Sequence, residues 1–240
     1  MGSSRLPGKV MKAIVGKPML AHQIERIRRS QLINEIIITT TTNGEDDVIE
    51  ELARELGVGC FRGSENDVLT RVVETLKAYS VDVHVELMGD SPIPDPGILD
   101  QVTGHFLGHT DEYDYVSNAL KTTYPPGCEV YVYPSRVLYD AESKAPYNRL
   151  REHVGPHIYQ HPDRYRLCNL EAPAWHHYPE LFLEVDTQED LDVITKVFEY
   201  FHPENPGFGL TQVIEFMNEN PSLASQNAHV ERRWKAFRDS

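Results

Sequence analysis

Cysteine is scarce. Cys60, Cys128 and Cys168 are far apart and odd in number, so they make neither a disulfide framework nor a cysteine-type zinc site. A reducing cytoplasm is the expected compartment. No apolar run approaches the roughly 20 residues a membrane-spanning helix needs. The first residues also lack the apolar stretch of a secretory signal. Positive charge is in short supply too: 23 Lys and Arg stand against 37 Asp and Glu, a net charge of −14. That balance excludes general binding to nucleic acid or to an anionic membrane. The dinucleotide fingerprint G-x-G-x-x-G is absent, which argues against hydride transfer. The P-loop G-x-x-x-x-G-K-[ST] fails twice, because Gly2 and Gly8 are one residue too far apart and Val10 stands where the magnesium-binding hydroxyl belongs.

The cations that are present cluster at the start. Residues 1–33 hold Arg5, Lys9, Lys12, Lys17, Arg26, Arg28 and Arg29 against a single acid, Glu25. Arg26, Arg28 and Arg29 fit a solvated helix face. Arg5, Lys9 and Lys17 lie among glycines, where backbone N–H groups can approach an anion without a Cβ in the way. A small anionic ligand is expected there.

After this opening, strands and helices alternate. "EIIITTTT" (35–42), "VGCFRG" (58–63), "DVHVELM" (82–88), "YDYVSN" (113–118) and "LFLEVD" (181–186) read as strands. Between them run amphipathic helices: Leu20, Ile24 and Ile27 share one face, as do Val48, Leu52 and Leu56 on a second helix stopped by Gly57. A third helix starts behind Ser64 or Asp67, and a fourth begins near Pro96. This rhythm predicts an α/β fold with a mostly parallel sheet covered by helices on both faces. Residues 119–160, rich in proline and tyrosine, are expected to leave the sheet as an excursion or dimer arm. The expected organisation is a domain over 1–202 with a helical extension over 203–240, broken at Pro221.

Ligands of open α/β sheets gather beyond the carboxyl ends of strands. Two aspartates stand there: Asp90 in "LMGDSP" and Asp186 in "LEVDTQEDL". Paired carboxylates suit a hard cation such as Mg2+. Each also has a purely structural alternative. Asp90 can start the turn into Ser91-Pro92, and Asp186 can cap the helix that follows it.

"GSSRLPGKVMKAIVGKPML" (2–20), "GSENDVL" (63–69), "GDSPIPDP" (89–96), "YDYVSN", "YPPGCEV" (124–130), "REHVGPHIY" (151–159) and "VDTQEDL" (185–191) occur in this order over nearly the whole chain. The series resembles the cytidylyltransferases that make CMP-Kdo and CMP-sialic acid, and within them the spore coat polysaccharide SpsF branch. The resemblance implies a Rossmann-like nucleotidyltransferase fold acting on CTP and an acidic sugar, with Mg2+ held by Asp90 and Asp186. It implies catalytic cations at Arg5, Lys9 and Lys17, and a phosphate-binding loop at Gly2 and Ser3. Ser64 and Asp67 are candidates for contacts to the base, although either can simply cap its helix. Arg151 suits a sugar carboxylate, His153 a hydroxyl or its proton, and Glu129 further hydroxyl contacts. A homodimer is also implied. In such enzymes the loop follows a buried first strand, which this sequence lacks ahead of Met1; a start assigned too late, or a native loss of that strand, is expected. Two rivals remain. One couples another nucleotide to a sugar phosphate, a chemistry that usually carries a denser G-x-G-x-R loop; the other is a catalytically silent nucleotide-binding paralogue.

Overall fold

The computed structural model describes residues 1–147 and 149–235. The opening loop ends in a short hairpin, β1 (Ala13–Ile14) against β2 (Lys17–Pro18), which feeds directly into α1 (Met19–Ile27). β3 (Ile37–Thr41), α2 (Asp47–Leu56) and β4 (Gly59–Gly63) form a βαβ unit, with β3 and β4 parallel. α3 (Val68–Ala78) then leads to β5 (Val83–Glu86), and α4 (Pro96–Gly108) to β6 (Tyr115–Ser117). β7 (Tyr131–Pro134), α5 (Ser135–Lys144), α6 (Pro156–Tyr159) and β8 (Leu167–Asn169) follow. The chain closes with α7 (Gln188–Phe201), α8 (Leu210–Glu219) and α9 (Pro221–Ala224). Pro221 opens α9, where its missing N–H costs nothing.

The four-stranded sheet has the order β5-β7-β6-β8. β7 runs antiparallel to both β5 and β6, while β6 and β8 are parallel. β5, β6 and β8 thus run one way with β7 reversed between β5 and β6, and the β3–β4 pair is parallel, as the mostly parallel expectation requires. The expected excursion over 119–160 is corrected accordingly, since residues 131–134 lie between two strands of the main sheet. The tyrosines explain this. Strand side chains alternate between faces, so Tyr131 and Tyr133 pack with Tyr115 on one face while Val130 and Val132 pack with Val116 on the other. The tyrosine face is covered by Leu69, Val72, Val73 and Leu76 of α3 and Val137, Leu138 and Ala141 of α5. The valine face is covered by α4, α7 and α8. Helices thus lie on both faces, as the alternation predicted.

The stretch "LFLEVD" forms no ladder, a second correction. Its N–H groups bond to separate segments, Leu183 to the carbonyl of Pro126 at 2.7 Å and Val185 to that of Asp90 at 2.8 Å. It is nonetheless core, because Leu181, Phe182, Leu183 and Val185 are all buried. In the C-terminal region, Phe208, Leu210, Val213, Ile214 and Met217 join the same cluster as α4 and α7. Among the described residues before Ala13 there is no strand, and no hydrogen-bonded ladder links β3 to β5.

The hairpin turn carries a local cost. Its central residues, Val15 and Gly16, have φ of 45° and 78°. Left-handed backbone is free to Gly16 but strained for a β-branched residue, and Val15 is exposed and gains little from packing. Asn-Gly is the preferred pair for such a turn. Val15→Asn is expected to stabilise the protein by about 1 kcal/mol, read from urea unfolding midpoints; an unchanged or lowered midpoint would contradict the strain.

Candidate active site

Three segments meet at one point. Lys9 follows Gly8, whose φ of 65° turns the opening loop into a single helical turn. The Lys9 ammonium donates to Asp90 Oδ2 at 3.0 Å, to Asp186 Oδ1 at 3.0 Å and to the Val185 carbonyl at 2.8 Å. Arg5 pairs with the other oxygen of Asp186 at 2.5 Å. Asp90 lies just beyond β5 and Asp186 just before α7. Burial pulls the Lys9 ammonium down, but Asp90 and Asp186 outweigh it and leave Lys9 above its ordinary value.

The structure removes the capping role from Asp186. Thr187, not Asp186, caps α7, in a capping box with Asp190. The Asp190 carboxylate accepts the N–H groups of both Asp186 and Thr187 at 2.9 Å. The Asp186 side chain is thereby left to face Lys9 and Arg5. Asp190 is itself fully buried and paired with Arg232 at 2.7 Å. Arg232 anchors the last described segment over the opening loop: Arg5 donates to the Glu231 carbonyl at 2.7 Å, and Arg233 to Ser4 Oγ at 3.3 Å.

A cavity of about 300 Å³ opens beside this cluster. Arg5, Asp90, Asp186, Glu129 and His153 line it, together with Glu86, Glu184, Arg233 and Trp234. Gly127 makes one wall possible. Its φ is 103°, and a Cβ there would stand 2.6 Å from the backbone of Leu183 and Glu184, so only glycine lets the two segments close. The Gly127 N–H donates to Glu129 at 2.7 Å, which orients that carboxylate.

Other predicted residues gather elsewhere. Ser64 accepts the N–H of Asp67 at 3.1 Å, and Asp67, not Ser64, caps α3 through the N–H of Thr70 at 2.9 Å. Arg151 is buried and paired with Asp67 at 2.8 Å and Glu142 at 2.7 Å. Ser64, Asp67 and Arg151 thus form one hydrogen-bonded group that does not line the cavity. Lys17 pairs with Glu25 at 2.6 Å, apart from the aspartates. Gly2 and Ser3 lie in the opening loop, where Ser3 Oγ accepts the N–H of Leu6 at 3.3 Å.

Sequence reasoning missed Glu86 and Glu184. Each is an acid flanked by apolar residues, "VEL" (85–87) and "FLEV" (182–185), a pattern that costs free energy unless the acid is used. Burial pushes Glu86 up to about 7, against the hydroxyl of Tyr133 that donates to it. Burial and the neighbouring Glu129 push Glu184 up to about 8, although Trp234 Nε1 donates to it at 2.8 Å. His153 is held below its ordinary value by burial, against a smaller pull from Glu152. The cavity lining therefore includes acids, Glu86 and Glu184, whose values lie near neutrality. Arg233 and Trp234, by contrast, left no sequence signal.

A family model for cytidylyltransferases matches residues 1–227. The chain belongs to the cytidylyltransferase family. It is 32% identical to the spore coat polysaccharide biosynthesis protein SpsF of Bacillus subtilis, over 94% of this chain and 94% of that protein. It is also 32% identical to the uncharacterized protein MJ1063 of Methanocaldococcus jannaschii, over 99% of this chain and 94% of the relative. The solved structure of a cytidylyltransferase from Leptospira borgpetersenii superposes with a TM-score of 0.89 at 28% identity, covering 97% of this chain and 95% of that one. A CMP:2-keto-3-deoxy-manno-octonic acid synthetase complexed with CTP shares the fold, with a TM-score of 0.60 at 17% identity over 82% of this chain and 94% of that one. This cytidylyltransferase thus has the nucleotidyltransferase fold that its sequence implied.

The raised carboxyls make stability depend on pH. A carboxyl raised in the fold binds its proton more tightly there than when unfolded, so its contribution is complete below the unfolded value of about 4.5 and is lost as pH rises through the folded value. The depressed histidines act in the opposite sense, but only below about 6.5, where the unfolded imidazole is charged. Between pH 6.5 and 8.5, stability is therefore expected to fall as pH rises, and Glu184→Gln to flatten that slope. Thermal melts across this window test it; an equal slope in both proteins would place the titration elsewhere.

Proposed function

We propose that this cytidylyltransferase transfers CMP from CTP to a hydroxyl of an acidic sugar, a nonulosonic or Kdo-like acid, releasing pyrophosphate in surface polysaccharide biosynthesis. The observation that carries the reading is the convergence of Asp90 and Asp186 on one cationic centre, Lys9 Nζ, at 3.0 Å each. Two carboxylates already aimed at one positive charge are a hard-oxygen donor set of the kind that fits Mg2+. Asp90 and Asp186 would hold the ion. Bound there with CTP, it would offset charge on the triphosphate and orient the α-phosphorus.

The residues of the chain divide the remaining work. Arg5 and Lys9 supply fixed positive charge for the departing pyrophosphate, an electrostatic task typically worth 10²–10³ in rate per group. The acceptor oxygen forms a bond to the α-phosphorus while the bond from that phosphorus to the α,β-bridging oxygen breaks. His153, kept neutral by burial, takes the hydroxyl proton. Arg233, at the rim, suits the carboxylate of the sugar, because a guanidinium can bind both oxygens. The relatives are consistent with this chemistry: 3-deoxy-manno-octulosonate cytidylyltransferase of Trichlorobacter lovleyi is 31% identical over 45% of this chain.

Pyrophosphate release is the test, run with each of the four nucleoside triphosphates against a panel of nonulosonic acids in Mg2+. Release with CTP alone is expected. Asp90→Asn should lower kcat by at least about 10²-fold with an unchanged circular dichroism spectrum. CTP binding without release for any acceptor would favour a silent nucleotide-binding protein instead.

A further inference from the structure

A second cluster of metal-ligating side chains lies away from the aspartates. His22 and Glu25 sit three residues apart on α1, hence on one face of the helix, and His202 caps the C-terminal end of α7. Each offers a ligand atom, and these atoms lie within 4.8 Å of one another. We propose that His22, Glu25 and His202 bind one divalent transition-metal ion of the zinc class, which clamps α1 to the end of α7. This does not rest on the reading of the active site.

The donor set suits such an ion. Two imidazoles and a carboxylate favour zinc and its neighbours over magnesium or calcium, which prefer oxygen. His22 is buried. Its Nε2 lies 2.6 Å from the carbonyl of Ile14, an acceptor, so Nε2 carries the proton and Nδ1 keeps the lone pair. Metal-bound histidines commonly give their other N–H to a backbone carbonyl, which fixes the ring. The His22 ring is further fixed by Phe198 at 4.5 Å and by His202 at 5.1 Å between centroids.

The other two ligands can move. Glu25 and His202 are only half-buried, which gives an ion access from solvent. Ligand atoms around one zinc ion stand about 3.3 Å apart, so the cluster must close by roughly 1.5 Å, within the reach of two surface side chains. Glu25 is held by Lys17 at 2.6 Å. That pair is only partly buried and contributes little, so a divalent ion can displace the ammonium. The ion would then join α1, α7 and, through the Ile14 carbonyl, the hairpin behind the opening loop. With three protein ligands, water completes the shell.

The test uses the full chain, freed of any affinity tag and treated with EDTA. Calorimetric titration with Zn2+ should show one site per chain, and Zn2+ should raise the melting temperature while excess Mg2+ neither competes nor reproduces the effect. Co2+ should give visible d–d bands. His202→Ala should weaken Zn2+ binding by at least about tenfold and remove the Co2+ bands. Glu25→Gln, a milder surface change, should also weaken binding. Asp90→Asn should leave it intact. The inference is overturned if no saturable binding occurs, if Mg2+ displaces the ion, or if His202→Ala binds as the unaltered chain does while Asp90→Asn does not.

Discussion

The Lys9 ammonium, set between Asp90 and Asp186, is the contact on which the site depends. The opening loop packs some apolar surface: Leu6 is buried, and Met1, Val10 and Met11 are partly buried against the core. Charge then fixes the loop at the aspartates: Lys9 to both carboxylates, and Arg5 to Asp186. Each side of this arrangement requires the other. Without the cations, two acids would converge with no counter-charge. Without the acids, a buried lysine would face desolvation alone.

Much of the surrounding structure exists to aim these groups. The capping box of Thr187 and Asp190 frees Asp186 from helix duty. Arg232 neutralises the buried Asp190 and so carries the last segment back to the first. Gly127 lets the turn after "YPP" press against residues 183–184, which brings Glu129 and Glu184 together. The result is a cleft lined by Arg5 and Arg233, by the two aspartates, and by the raised acids Glu86 and Glu184.

The fold was largely legible because it follows periodicity. Strand alternation and helical faces are local patterns, and β3, β4, β5 and β6 lie where apolar runs said they would. The errors share a cause. "YVYP" looks like part of an irregular proline-rich stretch until the face it covers is known. "LFLEVD" has the composition of a strand, yet its partners are two separated segments, which no local pattern records. Ser64 and Asp67 compete for one helix start, and the burial of Asp67 against Arg151 decides between them.

The site was legible in part, along the same line. Asp90, Asp186, Arg5 and Lys9 could be singled out because the ends of buried apolar runs and glycine loops are where a sequence can place chemistry without disrupting a core. Their number and type follow from the sequence alone. Which of them meet does not. Lys17 and Arg151 carry the same charge as Lys9 and Arg5, yet each is held by a different acid, Glu25 and Asp67 respectively. Ion pairing depends on distance through space, and only the tertiary structure sets that distance. The raised Glu86 and Glu184, and the return of Arg232, Arg233 and Trp234 to the opening loop, depend on burial and long-range contact for the same reason.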